Sequence, residues 1–183
     1  MEEKLFENWE QLENSIRICK DCKLCQNRNK VVIGEGNKNA KIMFIGEGPG
    51  ADEDIQGRPF VGRAGKLMDQ AFKGIGIKRE EVYIANVVKC RPPGNRNPEI
   101  DEMNACKKFL KSQIKLVNPE IIILLGSVAT KEILGEEYSI TKIRGTIIEK
   151  DGRIYLPTFH PAALLRDEDK KLLFWKDLTK IPK

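Results

Sequence analysis

A glycine-rich stretch that separates two periodic segments constrains the fold of this chain most strongly. The stretch, residues 46–62, reads GEGPGADEDIQGRPFVG and follows an apolar run at residues 42–45 that predicts a buried strand. Residues 66–72 then show the pattern of the start of a helix. Because a loop between such a strand and helix lies at the carboxyl end of the strand, where open α/β sheets bind ligands, we expect a ligand site here.

The composition of this loop narrows the class of ligand. Gly46, Gly48 and Gly50 leave backbone amides open to a flat or anionic ligand. The acids at residues 52–54 would repel a phosphate, and the Lys-Ser/Thr pair of a P-loop is missing from the motif. Phe60 is either a platform on which a flat ligand stacks or a core phenylalanine that closes the loop.

Strand-like and helical segments alternate along the rest of the chain. Apolar runs at residues 82–89 and 120–125 predict strands, residues 99–117 predict a long helix, and Asp151-Gly152 is typical of a β-hairpin turn. This alternation favours an α/β protein with a mostly parallel sheet covered on both faces. A chain of 183 residues without a long linker or repeat predicts a single domain, residues 1–183.

Charge and cysteine content limit the classes of function. The formal net charge of +5 is compatible with a nucleic-acid partner. The first residues lack an apolar signal core, and the longest aliphatic run, residues 121–125, is too short to cross a bilayer, so we expect a soluble, cytoplasmic protein with no membrane partner. Five cysteines are an odd number that does not suit a disulfide framework, which favours metal or cluster ligation.

The cysteines follow a pattern typical of zinc and iron-sulfur sites. Cys19, Cys22 and Cys25 are separated by two residues each, a spacing that can turn two thiolates toward one metal site. Cys90 and Cys106 are the most plausible further ligands, and together they would staple the amino-terminal segment to the core. The alternative is that these cysteines are simply small buried hydrophobic residues.

Two polar residues at predicted strand ends are candidates for chemistry. Asn86 lies in an otherwise apolar strand, and its amide presents the acceptor and donors needed to read the edge of a base. His160, the only histidine, can stabilise an anionic leaving group or move a proton. A structural role remains the alternative for each residue.

Residues beside the strand-end loops are candidates for contact with a nucleic acid. Arg91 and Arg166 can hold phosphates, although such arginines also form surface ion pairs. Leu164 and Leu165 either form an apolar wedge that fills a vacated base stack or pack as the first turn of a helix.

Taken together, these motifs resemble those of the family 4 uracil-DNA glycosylases, the iron-sulfur branch of that superfamily. The matching stretches, within about residues 17–166, are CKDCKL, GEGPG with GRPFVG, VYIANVVKCRPP, the Cys106 helix and HPAALLR. The resemblance implies a three-layer α/β/α sandwich with a central four-stranded, mostly parallel sheet. It also implies a 4Fe-4S cluster and hydrolysis of the N-glycosidic bond of deoxyuridine in DNA, which releases uracil and leaves an abasic site.

The resemblance implies roles for the cysteines. Cys19, Cys22, Cys90 and Cys106 would hold the cluster and tie the amino-terminal segment to the core, which leaves Cys25 spare.

The resemblance also implies a base pocket. Phe60 would stack on the uracil, Asn86 would bond to its polar edge and His160 would face its O2, while Glu47 and Gly48 would form the floor.

A water-activating base is less clearly implied, because a related branch has an aspartate where this chain has Gly48. Glu53 is the candidate, so the expected catalytic set is His160, Glu53 and Glu47. The expected DNA contacts are Arg91, Leu164 and Arg166.

The expected partner is uracil-containing DNA, single- or double-stranded, bound by a monomer. Two other classes of function compete with this interpretation. One is a non-catalytic iron-sulfur protein that binds nucleic acid or transfers electrons, and the other is a glycosylase with a different damaged-base preference.

Overall fold

The computed structural model describes residues 3–182, which form a six-stranded sheet with helices packed against it. The strands are β1 (Glu35–Gly36), β2 (Ile42–Gly46), β3 (Tyr83–Asn86), β4 (Ile121–Leu125), β5 (Ile148–Lys150) and β6 (Arg153–Thr158). The helices are α1 (Trp9–Arg17), α2 (Ala51–Gln56), α3 (Arg63–Ile75), α4 (Ile100–Val117), α5 (Ser127–Leu134), α6 (Ile140–Ile143) and α7 (Glu168–Leu178).

The sheet has a parallel centre and antiparallel edges. Its strand order is β1-β3-β2-β4-β6-β5, in which β3, β2, β4 and β6 run parallel. The short strands β1 and β5 pair antiparallel with β3 and β6. The predicted α/β class is confirmed, and these two edge strands extend the predicted four-stranded centre to six. The predicted hairpin is also present, because Asp151 and Gly152, both with positive φ, connect β5 to β6.

Helices cover both faces of the sheet because the central strands are apolar on both sides. On one face, Met43 and Ile45 of β2 belong to a core with buried residues of α1, α4 and α5. On the other face, Phe44 belongs to a core with buried residues of α3 and α7. This alternation produces the three layers that the resemblance implies.

The order of the strands determines where a ligand site forms. The chain passes from β2 through α3 to β3 on one side, and from β4 through α5 to β6 on the other. Strands β2 and β4 are neighbours whose connections leave in opposite directions, and open α/β sheets bind ligands at such a switch point. The loops after β2, β3 and β6 converge at this edge.

A buried carboxylate holds the carboxyl end of β6. Asp177 of α7 is fully buried, accepts a hydrogen bond from Thr158 Oγ1 at 2.8 Å and pairs with the Arg144 guanidinium through two nitrogens. Because Thr158 is the last residue of β6, this contact sets the direction in which the chain enters the following loop.

Within residues 3–182, no helix is both long and apolar enough to cross a membrane.

Replacement of Asp177 should destabilise the protein markedly. We expect Asp177→Ala to lower the free energy of unfolding by about 3 kcal/mol, because it leaves Arg144 and Thr158 without their buried partner. Glu168→Ala is the control, since it removes a highly exposed carboxylate paired with Lys171 and should change stability by less than about 0.5 kcal/mol. Denaturant titrations measure both values, and equal effects would contradict the role of Asp177.

Candidate active site

A pocket opens where the loops after β2, β3 and β6 meet. Its lining includes Glu47 from the first loop, Phe60 farther along the same connection, Asn86 from the end of β3 and His160 after β6. These side chains are far apart in the sequence, and the parallel sheet brings them together because its strands end at one edge. The structure therefore places these candidates in one pocket.

Asn86 presents an unpaired acceptor at this pocket. The strand ends at this residue, earlier than the predicted run of residues 82–89, and Val87 N–H still bonds to the carbonyl of Gly46, the last residue of β2, at 2.9 Å. The Asn86 side chain is buried, and its Oδ1 has no hydrogen-bond partner among the described residues. Such an orphaned carbonyl oxygen costs about 1–3 kcal/mol, which a ligand N–H would recover.

Gly46 allows Asn86 and Phe60 to approach each other. A Cβ atom at Gly46 would lie 2.6 Å from both Asn86 Oδ1 and Phe60 Cζ. Any side chain at this position would push the amide and the aromatic ring apart. The first glycine of the loop is therefore required by contacts within the protein, in addition to leaving the backbone open.

The backbone holds Phe60 in an uncommon conformation. Its φ is 50°, in the left-handed region, and its ring lies beside the His160 ring with the centroids 5.4 Å apart. The Phe60 carbonyl packs so closely against α3 that a Cβ at Gly65 would lie 2.0 Å from it. The ring is buried, as the core alternative predicted, yet it also lines the pocket.

Arg79 completes the support of Phe60, and sequence reasoning missed it. Its Nη1 donates to the Phe60 carbonyl at 3.0 Å and to Asp69 Oδ1 at 2.9 Å, and its Nη2 donates to the Pro59 carbonyl. Glu35 holds the same guanidinium through an ion pair of 3.0 Å. No local pattern marks this arginine, because its partners come from distant parts of the chain.

His160 is held in one tautomer. Its Nδ1 accepts a hydrogen bond from Ala162 N–H at 3.1 Å, so in the neutral ring the proton lies on Nε2. Burial lowers the pKa of His160 from its ordinary value of 6.5 to about 4. A Cβ at Gly126, whose φ is +92°, would lie 2.9 Å from His160 Cβ, so this glycine lets the chain at His160 pass close to it. At neutral pH the pocket therefore contains an uncharged N–H donor.

The two candidate glutamates have different surroundings. Glu53 accepts hydrogen bonds from the backbone N–H groups of Gly50, Val61 and Gly62 at 3.1, 2.8 and 2.7 Å. These bonds tie both ends of the loop together and occupy both carboxylate oxygens. Glu53 thus holds the loop, and the water-activating role expected from the sequence stays a prediction. Glu47 lines the pocket, and burial raises the pKa of its carboxyl.

The structure corrects one of the expected DNA contacts. Leu164 is fully buried in the core with α3 and α7, because the single 3-10 turn Pro161–Leu164 directs it inward. The packed-turn alternative applies to this residue. Leu165 is only partly buried and lines the pocket, while Arg166 is exposed. Arg91 is partly exposed, and its Nε donates to Asn95 Oδ1 at 2.8 Å.

The cysteines meet at a second pocket on the other side of the β3 end. All of them line it: Cys19, Cys22, Cys25, Cys90 and Cys106. All five are free of disulfides. Within residues 3–182, no three histidine, cysteine or acidic side chains form a group that could hold a single metal ion.

Donors already face the cysteine sulfurs. Arg28 Nη1 donates to Cys90 Sγ at 3.3 Å and to the Cys19 carbonyl at 2.8 Å. Asp21 N–H donates to Cys19 Sγ at 3.5 Å. Burial raises the pKa of Cys106 to about 12, so this thiol needs a metal or a cation to become a thiolate. This donor set suits sulfurs that carry negative charge.

Comparison with known proteins identifies the family. The model of the Uracil DNA glycosylase superfamily matches residues 33–179. The chain belongs to the uracil-DNA glycosylase superfamily. The superfamily predicted from the motifs is thereby confirmed, and the matched region contains both the residues that line the first pocket and two of the cysteines.

Individual members of the superfamily are similar over most of the chain. The Type-4 uracil-DNA glycosylase of Thermotoga maritima is 50% identical over 159 residues, which is 86% of this chain and 83% of that protein. That of Sulfurisphaera tokodaii is 47% identical over 186 residues, covering 96% of this chain and 84% of its own length. That of Saccharolobus solfataricus is 44% identical over 185 residues, with 96% and 86% covered.

The protonation of His160 can be measured directly, because the chain has one histidine. In an NMR titration of the imidazole signals, we expect a midpoint below pH 5 in the folded protein and near 6.5 in urea. Between these two values the unfolded chain binds more protons than the folded one. The free energy of unfolding should therefore rise with pH across this window, and the contribution of His160 should reach its full value above about pH 6.5. A midpoint near 6 in the folded protein would contradict the geometry described above.

Proposed function

We propose that the protein is a DNA repair glycosylase that flips deoxyuridine out of DNA and hydrolyses its N-glycosidic bond. The products are free uracil and an abasic site. The observation that carries this proposal is the orphaned Oδ1 of Asn86, which lies in one pocket with Phe60 and the Nε2–H donor of His160. These three side chains can then contact one planar base at its polar edge, its face and its O2.

Recognition of uracil follows from the polarity of the Asn86 amide. Its Oδ1 accepts N3–H of uracil, and its Nδ2 donates to O4. Cytosine has an unprotonated N3 and an amine at C4, so it would present an acceptor to Oδ1 and a donor to Nδ2. Phe60 stacks on the base, and Glu47 and Gly48 form the floor of the pocket.

Cleavage proceeds by departure of an anionic uracil from a cationic sugar. Nε2–H of His160 donates a hydrogen bond to O2 of uracil, where negative charge develops. The neutral ring already has its proton on Nε2, so it can donate this bond in its uncharged form. The phosphates of the DNA stabilise the sugar cation. Glu47 is the pocket carboxyl assigned to the attacking water, because the carboxylate of Glu53 is occupied by backbone donors.

DNA binding uses the rim of this pocket. Arg91 and Arg166 contact phosphates, and Leu165 takes the wedge position for which Leu164 is too deeply buried. Flipping costs a few kcal/mol, least for mismatched or single-stranded uracil. The proposed substrate is uracil-containing DNA, single- or double-stranded. The proposed binding unit is a monomer with a single domain. The cytoplasmic location stays a prediction.

The proposed cofactor is a 4Fe-4S cluster held by Cys19, Cys22, Cys90 and Cys106. The shared pocket of these cysteines and the Arg28 donor at Cys90 support this assignment. When bound, the cluster supplies a structural cross-link between the amino-terminal segment, the chain after β3 and α4. Cys25 lines the same pocket but remains outside the ligand set.

Assays of uracil release test the catalytic proposal. Purified protein should release uracil from single-stranded, G·U and A·U DNA, with G·U preferred to A·U when flipping limits binding, and should release neither thymine nor cytosine. We expect His160→Ala to lower the rate by about 100-fold, because a donor to the leaving uracil is lost. Asn86→Asp should also lower uracil release and begin to admit cytosine.

The control for these variants is Lys150→Ala, an exposed position on the distant edge strand β5, which should leave the rate unchanged. Unaltered uracil release by both active-site variants would refute the pocket assignment. Absence of release by folded, iron-loaded protein would favour the non-catalytic alternative.

Metal analysis tests the cluster independently of catalysis. The purified protein should contain about four iron atoms and matching sulfide per chain, with the visible absorbance of a cluster. Cys22→Ser should lose most of the iron and lower the melting temperature, because a cross-link between distant segments is removed. Cys25→Ser is the matched control and should retain the iron content and the melting temperature of the unmodified protein. Zinc in place of iron, or equal loss in the two variants, would contradict the ligand set.

A further inference from the structure

Lys89 is a buried lysine between the two pockets, and the proposed reaction makes no use of it. Its side chain is 1% exposed and lines the cysteine pocket next to Cys90 and Cys106. Its Nζ donates to the backbone carbonyl of Asn86 and to Gln113 Oε1, both at 2.6 Å. A residue of the cysteine pocket is therefore bonded directly to the backbone of the residue assigned to read the base.

The second anchor of Lys89 leads to the helix that carries Cys106. Gln113 follows Cys106 by two turns of α4, so the two side chains lie on the same face. The Gln113 amide Nε2 donates to the Ile33 carbonyl at 2.6 Å and to Tyr83 Oη at 3.2 Å, which fixes the orientation of its oxygen toward Lys89. The position of Nζ is thus determined by α4.

The backbone of Lys89 is held as well. Its carbonyl accepts a hydrogen bond from Val32 N–H at 2.8 Å, which joins it to the segment that follows the amino-terminal cysteines. Lys89 therefore has contacts with α4, which carries Cys106, and with the segment that follows Cys19 and Cys22, and it directly precedes Cys90. The bond from Nζ to the Asn86 carbonyl is the step that extends this arrangement to the base pocket.

The charge of Lys89 fits the same arrangement. Both hydrogen-bond acceptors of Nζ are neutral oxygens, and among residues 3–182 no carboxylate forms an ion pair with it. A buried ammonium group needs a compensating negative charge. Metal-bound cysteines are thiolates, so a loaded cysteine pocket supplies negative charge beside this lysine.

We propose that Lys89 is a positioning residue that couples the order of the cysteine pocket to base recognition by Asn86. It holds the Asn86 carbonyl, and through the backbone it directs the side-chain amide into the base pocket. This inference rests on the proposed function of Asn86. It assigns the cysteine site a role in specificity in addition to its role in stability.

The test replaces the ammonium group by an uncharged chain of similar length. Lys89→Met removes both hydrogen bonds of Nζ. Lys108→Met is the matched control, because Lys108 bonds to Asp21, which lines the cysteine pocket, at 2.5 Å and has no hydrogen bond to Asn86. Iron content, melting temperature and visible absorbance are measured first. Affinity is then compared for DNA containing a non-cleavable 2′-fluoro-deoxyuridine and for the same DNA with thymidine, followed by single-turnover uracil release.

With full iron content, we expect Lys89→Met to lose about tenfold in affinity for the uracil analogue and in uracil release, while its affinity for thymidine DNA is unchanged. Combined with Asn86→Ala, it should add little further loss, since both changes act through one amide. Lys108→Met should match the unmodified protein. Unchanged uracil affinity in Lys89→Met, or fully additive losses in the double variant, would overturn the proposal.

Two further comparisons keep the outcome decisive. If Lys89→Met does not fold, Gln113→Met is used, because it removes one anchor of Nζ and leaves the lysine in place. A loss restricted to uracil-specific affinity supports the coupling, and no such loss overturns it. If Asn86→Ala alone retains full uracil release, the proposed function of Asn86 fails. If it loses activity while Lys89→Met does not, only the coupling fails.

Discussion

The close approach of Asn86 and Phe60 across Gly46 is the contact on which the proposed base pocket depends. It exists because β2 and β3 are parallel neighbours that end together, and because residue 46 has no side chain. The Arg79 guanidinium, Gly65 and the Glu53 carboxylate each hold the loop that presents Phe60. Several contacts in this part of the protein therefore serve to position one aromatic ring and one side-chain amide.

The same edge of the sheet also explains why the cysteines lie near the base pocket. The chain continues from Asn86 to Cys90 in four residues, and α4 then returns Cys106 to the same place. Lys89, between them, bonds to the backbone of Asn86. The cysteine pocket and the proposed base pocket thus share one short piece of chain, and the proposed coupling acts through it.

The errors of the sequence-based prediction are as informative as its successes. The parallel sheet, the hairpin at Asp151-Gly152 and the shared pocket of Asn86 with His160 follow from periodicity and from residues at strand ends. The roles of Glu53 and Leu164 could not be predicted, because a glutamate that caps a loop and a leucine that fills a core look the same in sequence as a base and a wedge.

The sequence by itself determined the alternation of strands and helices, the glycines of the loop and the set of polar residues available for chemistry, since these depend on local pattern and residue type. Only the tertiary structure decided which of them meet. The support of Phe60 by Arg79, the tautomer of His160 and the bond from Lys89 to Asn86 depend on distances between elements, and hydrogen bonds form over about 3 Å. No local pattern specifies a distance of that kind, because it results from the packing of the whole sheet and its helices.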